Sequence, residues 1–158
     1  MNTQYAGFWL RLVALIIDVL IIAFLESIIF IPLLVALGFS FFGSASELDM
    51  EDSGSIVGLI VGIVAAAGAY WILATTIQIL YFSFMESSKN QATIGKMAVG
   101  IKVTDMNGDR LDFTKAFLRN LCKLISNVTM AIGYIMAGFT EKRQALHDLI
   151  AGALVVKK

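Results

Sequence analysis

The 158-residue chain has one cysteine, one histidine and one proline. Cys122 alone forbids an intrachain disulfide and offers no metal-ligand spacing, so it reads as a small buried apolar side chain. One histidine and one cysteine at unrelated places make a poor catalytic set. No Ser/His/Asp order, metal spacing or phosphate loop accompanies them, which points to a non-enzyme with no cofactor and no metal. Charge is scarce as well: Asp, Glu, Lys and Arg make 15% of the chain, and twelve basic residues cancel twelve acidic ones, so no bulk field calls for nucleic acid. Residues 1–7 hold no Lys or Arg, and the apolar run behind them far exceeds the core of a signal peptide, about 7–15 residues, so the first segment is read as a retained helix.

Apolar residues are what the chain has in abundance. They make 58% of it, and its mean hydropathy is +0.82, the composition of a small integral membrane protein. FWLRLVALIIDVLIIAFLESIIFIPLLVALGFSFFG, residues 8–43, is an apolar run that holds Arg11, Asp18 and Glu26. A bilayer core of about 30 Å takes roughly 20 apolar residues in a helix, so this run spans, with the first span drawn over residues 7–31. Pro32 sits where it ends or kinks that helix. An ionised carboxylate deep in a span costs roughly 2.5 kcal/mol or more, so Asp18 calls for a partner, water or a proton. Arg11 and Asp18 lie seven positions apart on nearly one face, with about 10 Å between their Cα atoms, too far for a direct bond without an intermediary.

The second span is drawn over residues 55–85. Gly54, Gly58, Gly62 and Ala66 recur every four residues, a small-residue row along which another helix can approach closely, the first span or a second copy of the chain. Thr75 and Gln78 lie level with Asp18 if the two spans are antiparallel, and are the candidate donors to its carboxyl group. Between the spans, Glu47, Asp49, Glu51 and Asp52 make an acidic loop suited to the non-cytoplasmic side.

Residues 86–113 leave the membrane. Lys89, Lys96, Lys102 and Arg110, then Lys115, Arg119 and Lys123, mark the basic and therefore cytoplasmic side, which places the N-terminus there too, in a multi-pass protein of the cell membrane. Val99, Ile101 and Val103 alternate with Gly100, Lys102 and Thr104, and Asn107-Gly108 is a hairpin-turn signal, so a small β-hairpin is predicted here. From Thr114, a candidate N-cap, the period becomes helical. Phe117, Leu121 and Leu124 lie on one face, while Lys115, Arg119 and Lys123 form a basic stripe suited to lipid headgroups. Residues 114–139 are either a tilted third span or an interfacial helix with a re-entrant piece. The tail is read as a short helix over 140–156, with Thr140 a candidate N-cap and Gly152 near its C-cap. It carries His147 and Asp148, and Arg143 one turn before His147 on a shared face. The fold class is thus an all-α membrane protein: an antiparallel transmembrane helical hairpin, a third membrane-embedded or interfacial helix, and a small cytoplasmic β-hairpin, all in one domain over residues 1–158.

RLVALIID (11–18), QATIGKMAVGIKVTDMNGDRLDF (91–113), AFLRNLCKL (116–124) and EKRQALHDLIAG (141–152) occur in the order found in the RDD family of membrane proteins, and the chain resembles that family over nearly its whole length. The family is named for one Arg and two Asp residues. Arg11 and Asp18 match the first two; Asp148 is taken for the third, with Asp105 as the fallback. Thr93 departs from the Pro that many members have in QATIGK, a change expected to matter only to a local turn. The resemblance implies transport of an undefined ligand, cation/proton exchange included. On that reading Arg11, Asp18 and Asp148, with His147, Arg143, Gln78 and Thr75 nearby, form an intramembrane polar cluster in a homo-oligomer that handles monovalent cations and protons. The rival is a structural or regulatory membrane protein whose Arg/Asp network fixes helix packing and whose cytoplasmic face docks a partner or anionic lipid.

Overall fold

A computed structural model describes residues 4–45, 53–128 and 136–158. Helices α1 (Phe8–Ala45) and α2 (Ser53–Glu86) are followed by α3 (Ile94–Ala98), strand β1 (Ile101–Asp105), α4 (Phe113–Val128), a 3-10 turn (Met136–Gly138), α5 (Leu146–Ala151) and strand β2 (Ala153–Lys157). The chain divides into two compact units, one made of residues 1–21 and 78–158, the other of residues 22–77.

The long helices are membrane spans. Phe8–Phe39 and Gly54–Glu86 have mean hydropathies of 2.7 and 2.3. A core helix of a soluble protein would hide such residues, yet Phe24 and Trp71 are 67% and 64% exposed. The apolar surface is the one lipid covers. Pro32 does not end α1, which runs on to Ala45. A proline is tolerated within a membrane helix because neighbouring groups re-satisfy the backbone.

In the unit of residues 22–77, the rings of Phe30 and Tyr70 meet edge to face at 4.4 Å. The small-residue row does not supply the contact expected of it within this unit. Gly54, Gly58, Gly62 and Ala66 are exposed, and a Cβ added at Gly58 or Gly62 meets nothing within 4 Å. The Phe30–Tyr70 ring pair, not the glycines, supplies a contact between the two helices there. The predicted acidic loop, Glu47 to Asp52, lies outside the described residues.

The other unit is built around a two-stranded antiparallel sheet. β1 pairs with β2, Ile101 opposite Lys157 and Asp105 opposite Ala153, and Tyr5 adds a bridge to Val156 on the far edge. Ile101, Val103, Leu111, Ala116, Ala153 and Val155 form its core with Ala6 and Ala14. The strand expected from the alternation over residues 99–104 therefore exists, as β1, but its partner is the tail and not the arm beyond Asn107-Gly108. The turn does form: the Asp105 carboxylate accepts from the amides of Asn107 and Asp109 at 2.8 and 2.9 Å, with Gly108 at φ +91°. Only Thr104 and Arg110 then bridge, because Leu111 turns into the core and Asp112 starts α4 by accepting from the Thr114 amide at 3.1 Å. Asp112, not Thr114, caps that helix.

The tail differs from a 140–156 helix for a local reason. Thr140 closes a turn on Gln144, accepting from its amide at 2.7 Å, and Arg143 takes φ +49°. Helix α5 starts only at Leu146 and stops at Gly152, whose φ of +61° is the left-handed cap that glycine favours. The β-branched pair Val155-Val156 then goes into the sheet. Since β1 and Tyr5 both pair with β2, the N-terminal segment, the loop after α2 and the tail share one side of the bilayer. Helix α4 has 16 residues, about 24 Å, which is shorter than a bilayer core. Residues 129–135, the rest of the segment read as a third span or a re-entrant piece, lie outside the described residues.

Candidate functional site

Helix α4 is turned the opposite way to a water-facing amphipathic helix. Phe117, Leu118 and Leu121 point outward, while Arg119 and Asn120 are buried. Against lipid the apolar face looks out and the polar face needs protein partners. Arg119 is 2% exposed and stands at the centre of the site. Its Nε donates to Asp148 Oδ1 at 2.7 Å, and its Nη1 donates to Glu86 Oε2 at 2.6 Å. The planar guanidinium fork suits this double task, which a lysine cannot perform.

Further cations complete each carboxylate, one at Asp148 and two at Glu86. Arg11 pairs with Asp148 Oδ2 and also donates to the Ala6 and Arg143 carbonyls, at 3.2 and 2.6 Å. Lys96 pairs with Glu86 Oε1, and Lys123 Nζ lies 3.6 Å from the same oxygen, over the Phe82 ring at 4.4 Å from its centroid. Asn120 Nδ2 donates a hydrogen bond to Glu86 Oε2 at 3.1 Å, and the Ala145 backbone N–H donates one to Asp148 Oδ2, also at 3.1 Å. The result is a continuous chain, Arg11–Asp148–Arg119–Glu86–Lys96, that ties the feet of α1 and α2 to α3, α4 and α5.

Burial and charge pull the site in opposite directions. Burial alone raises the Asp148 carboxyl, but Arg119 and Arg11 hold it well below the usual carboxylate range. Burial likewise opposes the Arg119 charge, and Asp148 with Glu86 reverses that, raising it above its ordinary value. Lys123 is less well served: burial outweighs Glu86 and lowers it to about 7. Lys96 is lowered for the same reason. His147, with Nε2 3.5 Å from Asp148 Oδ1, is pushed down to about 2 by burial and by Arg119, so its imidazole is neutral.

Asp18 stands apart from this chain. It is fully buried, and its carboxylate accepts from the Gly95 amide at 2.8 Å, the Tyr81 hydroxyl at 3.2 Å and the Thr93 hydroxyl. It thereby seats the first turn of α3 on α1. The close approach requires glycine: a Cβ at Gly95 would lie 2.1 Å from the Ala14 carbonyl oxygen. Arg11 and Asp18 both border one cavity of about 450 Å³, walled also by Phe8, Leu12, Leu15 and Phe82.

The predicted residues thus fall in different places. Arg11, Asp148 and His147 come together, and Asp18 has its own seat. Arg143 contributes a backbone carbonyl, not a side chain, because the residues before Leu146 are not helical. Gln78 is exposed and Thr75 half-buried; the donors to Asp18 are Tyr81, Thr93 and Gly95. Lys115 is exposed, but Arg119 and Lys123 turn inward to Glu86, not to headgroups. Asp105 closes its turn and takes no part in the network. Glu86, Lys96, Thr93 and Tyr81 were not anticipated. Glu86 carried one signal: an acid at the C-terminal end of a long helix opposes the helix dipole and so requires counter-charge. Thr93 in place of proline does more than shape a turn, since its hydroxyl holds Asp18. Among the described residues, no three His, Cys, Asp or Glu side chains gather to hold a metal ion.

The RDD family matches residues 5–152, a stretch that contains every residue of this network. The chain belongs to the RDD family. Within it, the chain is 30% identical over 153 residues to the uncharacterized protein YxaI of Bacillus subtilis (strain 168), covering 97% of each. It is 27% identical to the uncharacterized membrane protein YteJ of the same organism, over 96% of this chain and 80% of that protein. The uncharacterized protein YckC, also from that strain, is 26% identical over 95% of this chain and 83% of its own. No solved structure matches. In this RDD protein Arg11 and Asp148 form one ion pair, while Asp18 accepts from the first turn of α3.

Proposed function

We propose that this RDD protein is a non-enzymatic structural or regulatory membrane protein in which the ion-pair chain is a latch. It joins the membrane-proximal ends of two spans to a lobe on the cytoplasmic side of the cell membrane. One observation carries this reading: both carboxylates of the chain, Glu86 and Asp148, are saturated by cations and amides and have no capacity left for a travelling ion. A buried pair of this kind is weak support for stability as such, and its best-attested use is to fix register. The basic residues of the lobe favour the cytoplasmic side, N-terminus included. Cysteine labelling of Asp109 and Lys158 in a Cys122→Ser background tests the placement: both react only after the inner face is opened. Neutralising Asp148 to Asn tests the latch itself, with an expected fall in melting temperature in detergent. An unchanged melting temperature sinks it.

A second reading, transport with cation/proton exchange, draws on a different observation. Asp18 borders the 450 Å³ cavity, and its hydrogen bonds come from neutral donors. Two spans enclose no path alone, so this reading needs a homo-oligomer, and the exposed Gly58–Gly62 row is the seam available to it. Cation-dependent proton flux in proteoliposomes, with sodium, potassium and lithium in turn, decides: flux that vanishes with Asp18→Asn supports transport, and no flux in the wild type removes it.

A further inference from the structure

The cavity in the unit of residues 1–21 and 78–158 has two chemically different walls. Phe8, Leu12, Leu15 and Phe82 make one of them apolar. The other presents Arg11, Lys96, Arg119 and Lys123. The carboxylates that pair with these cations, Glu86 and Asp148, are completely buried behind them and do not border the space. Four cations against three carboxylates, Glu86, Asp148 and Asp18, leave one positive charge in excess. Asp18 also borders the cavity, but its oxygens are engaged by Gly95, Thr93 and Tyr81. Lys123 is the least committed cation, 3.6 Å from Glu86 and shared with the Phe82 ring. It is the natural contact for an additional anion.

Size agrees with a small-molecule site, since such cavities run from about 300 to 1,000 Å³ and are mostly apolar with a few placed polar groups. An inorganic anion would satisfy the cations and leave the apolar wall wet. A neutral lipid would fill the apolar wall and leave the positive excess uncompensated. A molecule carrying both halves satisfies both walls. We propose that this cavity binds an anionic amphiphile, one acidic head on an apolar chain, with the head on Lys123 and Arg119 and the chain along Phe8, Leu12 and Leu15. This goes beyond the latch, which requires no ligand and is tested without one.

The test uses the full chain, delipidated in a nonionic detergent and titrated by native mass spectrometry. The probes are dodecanoate, dodecyl phosphate, dodecyltrimethylammonium and inorganic phosphate. The expected result is one bound dodecanoate or dodecyl phosphate per chain, held at least about tenfold more tightly than the cationic chain or inorganic phosphate. Preference between the two acids identifies the head as carboxylate or phosphate. Leu15→Trp, which fills the apolar wall, and Lys123→Gln, which removes the contact charge, each weaken binding by about tenfold or more. Equal binding of the cationic chain overturns the proposal, as does equal binding of inorganic phosphate or undiminished binding by folded Leu15→Trp. If Lys123→Gln does not fold, head selectivity in the wild type still decides.

Discussion

Arg119 and Asp148 lie 2.7 Å apart, both buried, on helices α4 and α5, where a guanidinium and a carboxylate each serve a second partner. Removing one member of such a set leaves another charge stranded, and that penalty exceeds the net worth of the intact pair.

Among the described residues, Arg119 is the one cation that pairs with both carboxylates. Arg119→Ala is expected to destabilise the protein by about 3–5 kcal/mol, the cost of leaving a buried ion uncompensated. Arg119→Lys restores a charge but cannot reach Asp148 and Glu86 together, so most of the loss persists. Thermal unfolding in detergent measures both. A lysine variant as stable as the wild type would show that charge, not the bridging geometry, matters here.

The seat of Asp18 makes a separate prediction. At Gly95 an added methyl meets backbone oxygen at 2.1 Å, which no flexible side chain can relieve, so Gly95→Ala separates α3 from α1 and lowers stability. Gly138→Ala is the control, because a Cβ there meets nothing within 4 Å. Thr93→Val keeps the shape and removes the hydroxyl that holds Asp18, costing about 1–3 kcal/mol for a buried carboxylate short of a donor. Melting curves of the three variants should rank Gly138→Ala as neutral and the other two as destabilised.

How much of this was legible beforehand follows from which forces act locally. The spans were legible because hydropathy over tens of residues needs no tertiary information. The strand around residues 99–104 and the Asn107-Gly108 turn were legible because alternation and turn chemistry are local too. Its partner was not: β1 pairs with a segment about 50 residues away, and pairing at that distance is chosen by the whole core. The basic stripe of α4 was visible, but its direction depended on the solvent. In water Lys115, Arg119 and Lys123 would face out. Beside lipid, with Glu86 waiting at the foot of α2, two of the three face in. Arg11 and Asp18 shared a helix face, yet their partners, Asp148 and Thr93, lie far along the chain and pull them into different sites.

Lys123 gives the site a pH signature. Its folded value is lowered to about 7 from an ordinary 10.5, so between those pH values the unfolded chain binds a proton that the folded chain lacks. Stability therefore rises with pH across that window, with Lys96 contributing in the same direction. Lys123→Met should flatten the rise while Lys115→Met leaves it unchanged. Melting temperatures between pH 7 and 10 read the slope, and a wild-type slope of zero or below contradicts the assignment.

The measurement that bears most directly on the latch is a double-mutant cycle on Arg11 and Asp148. Unfolding free energies are taken for Arg11→Met, Asp148→Asn and the two combined. A latch predicts two destabilised singles and a double variant that loses about 1–3 kcal/mol less than their sum, because the second change removes a charge already stranded by the first. Losses that add within about 0.5 kcal/mol would mean that the two residues act independently. In that case the Arg11–Asp148 ion pair does not hold the spans to the lobe.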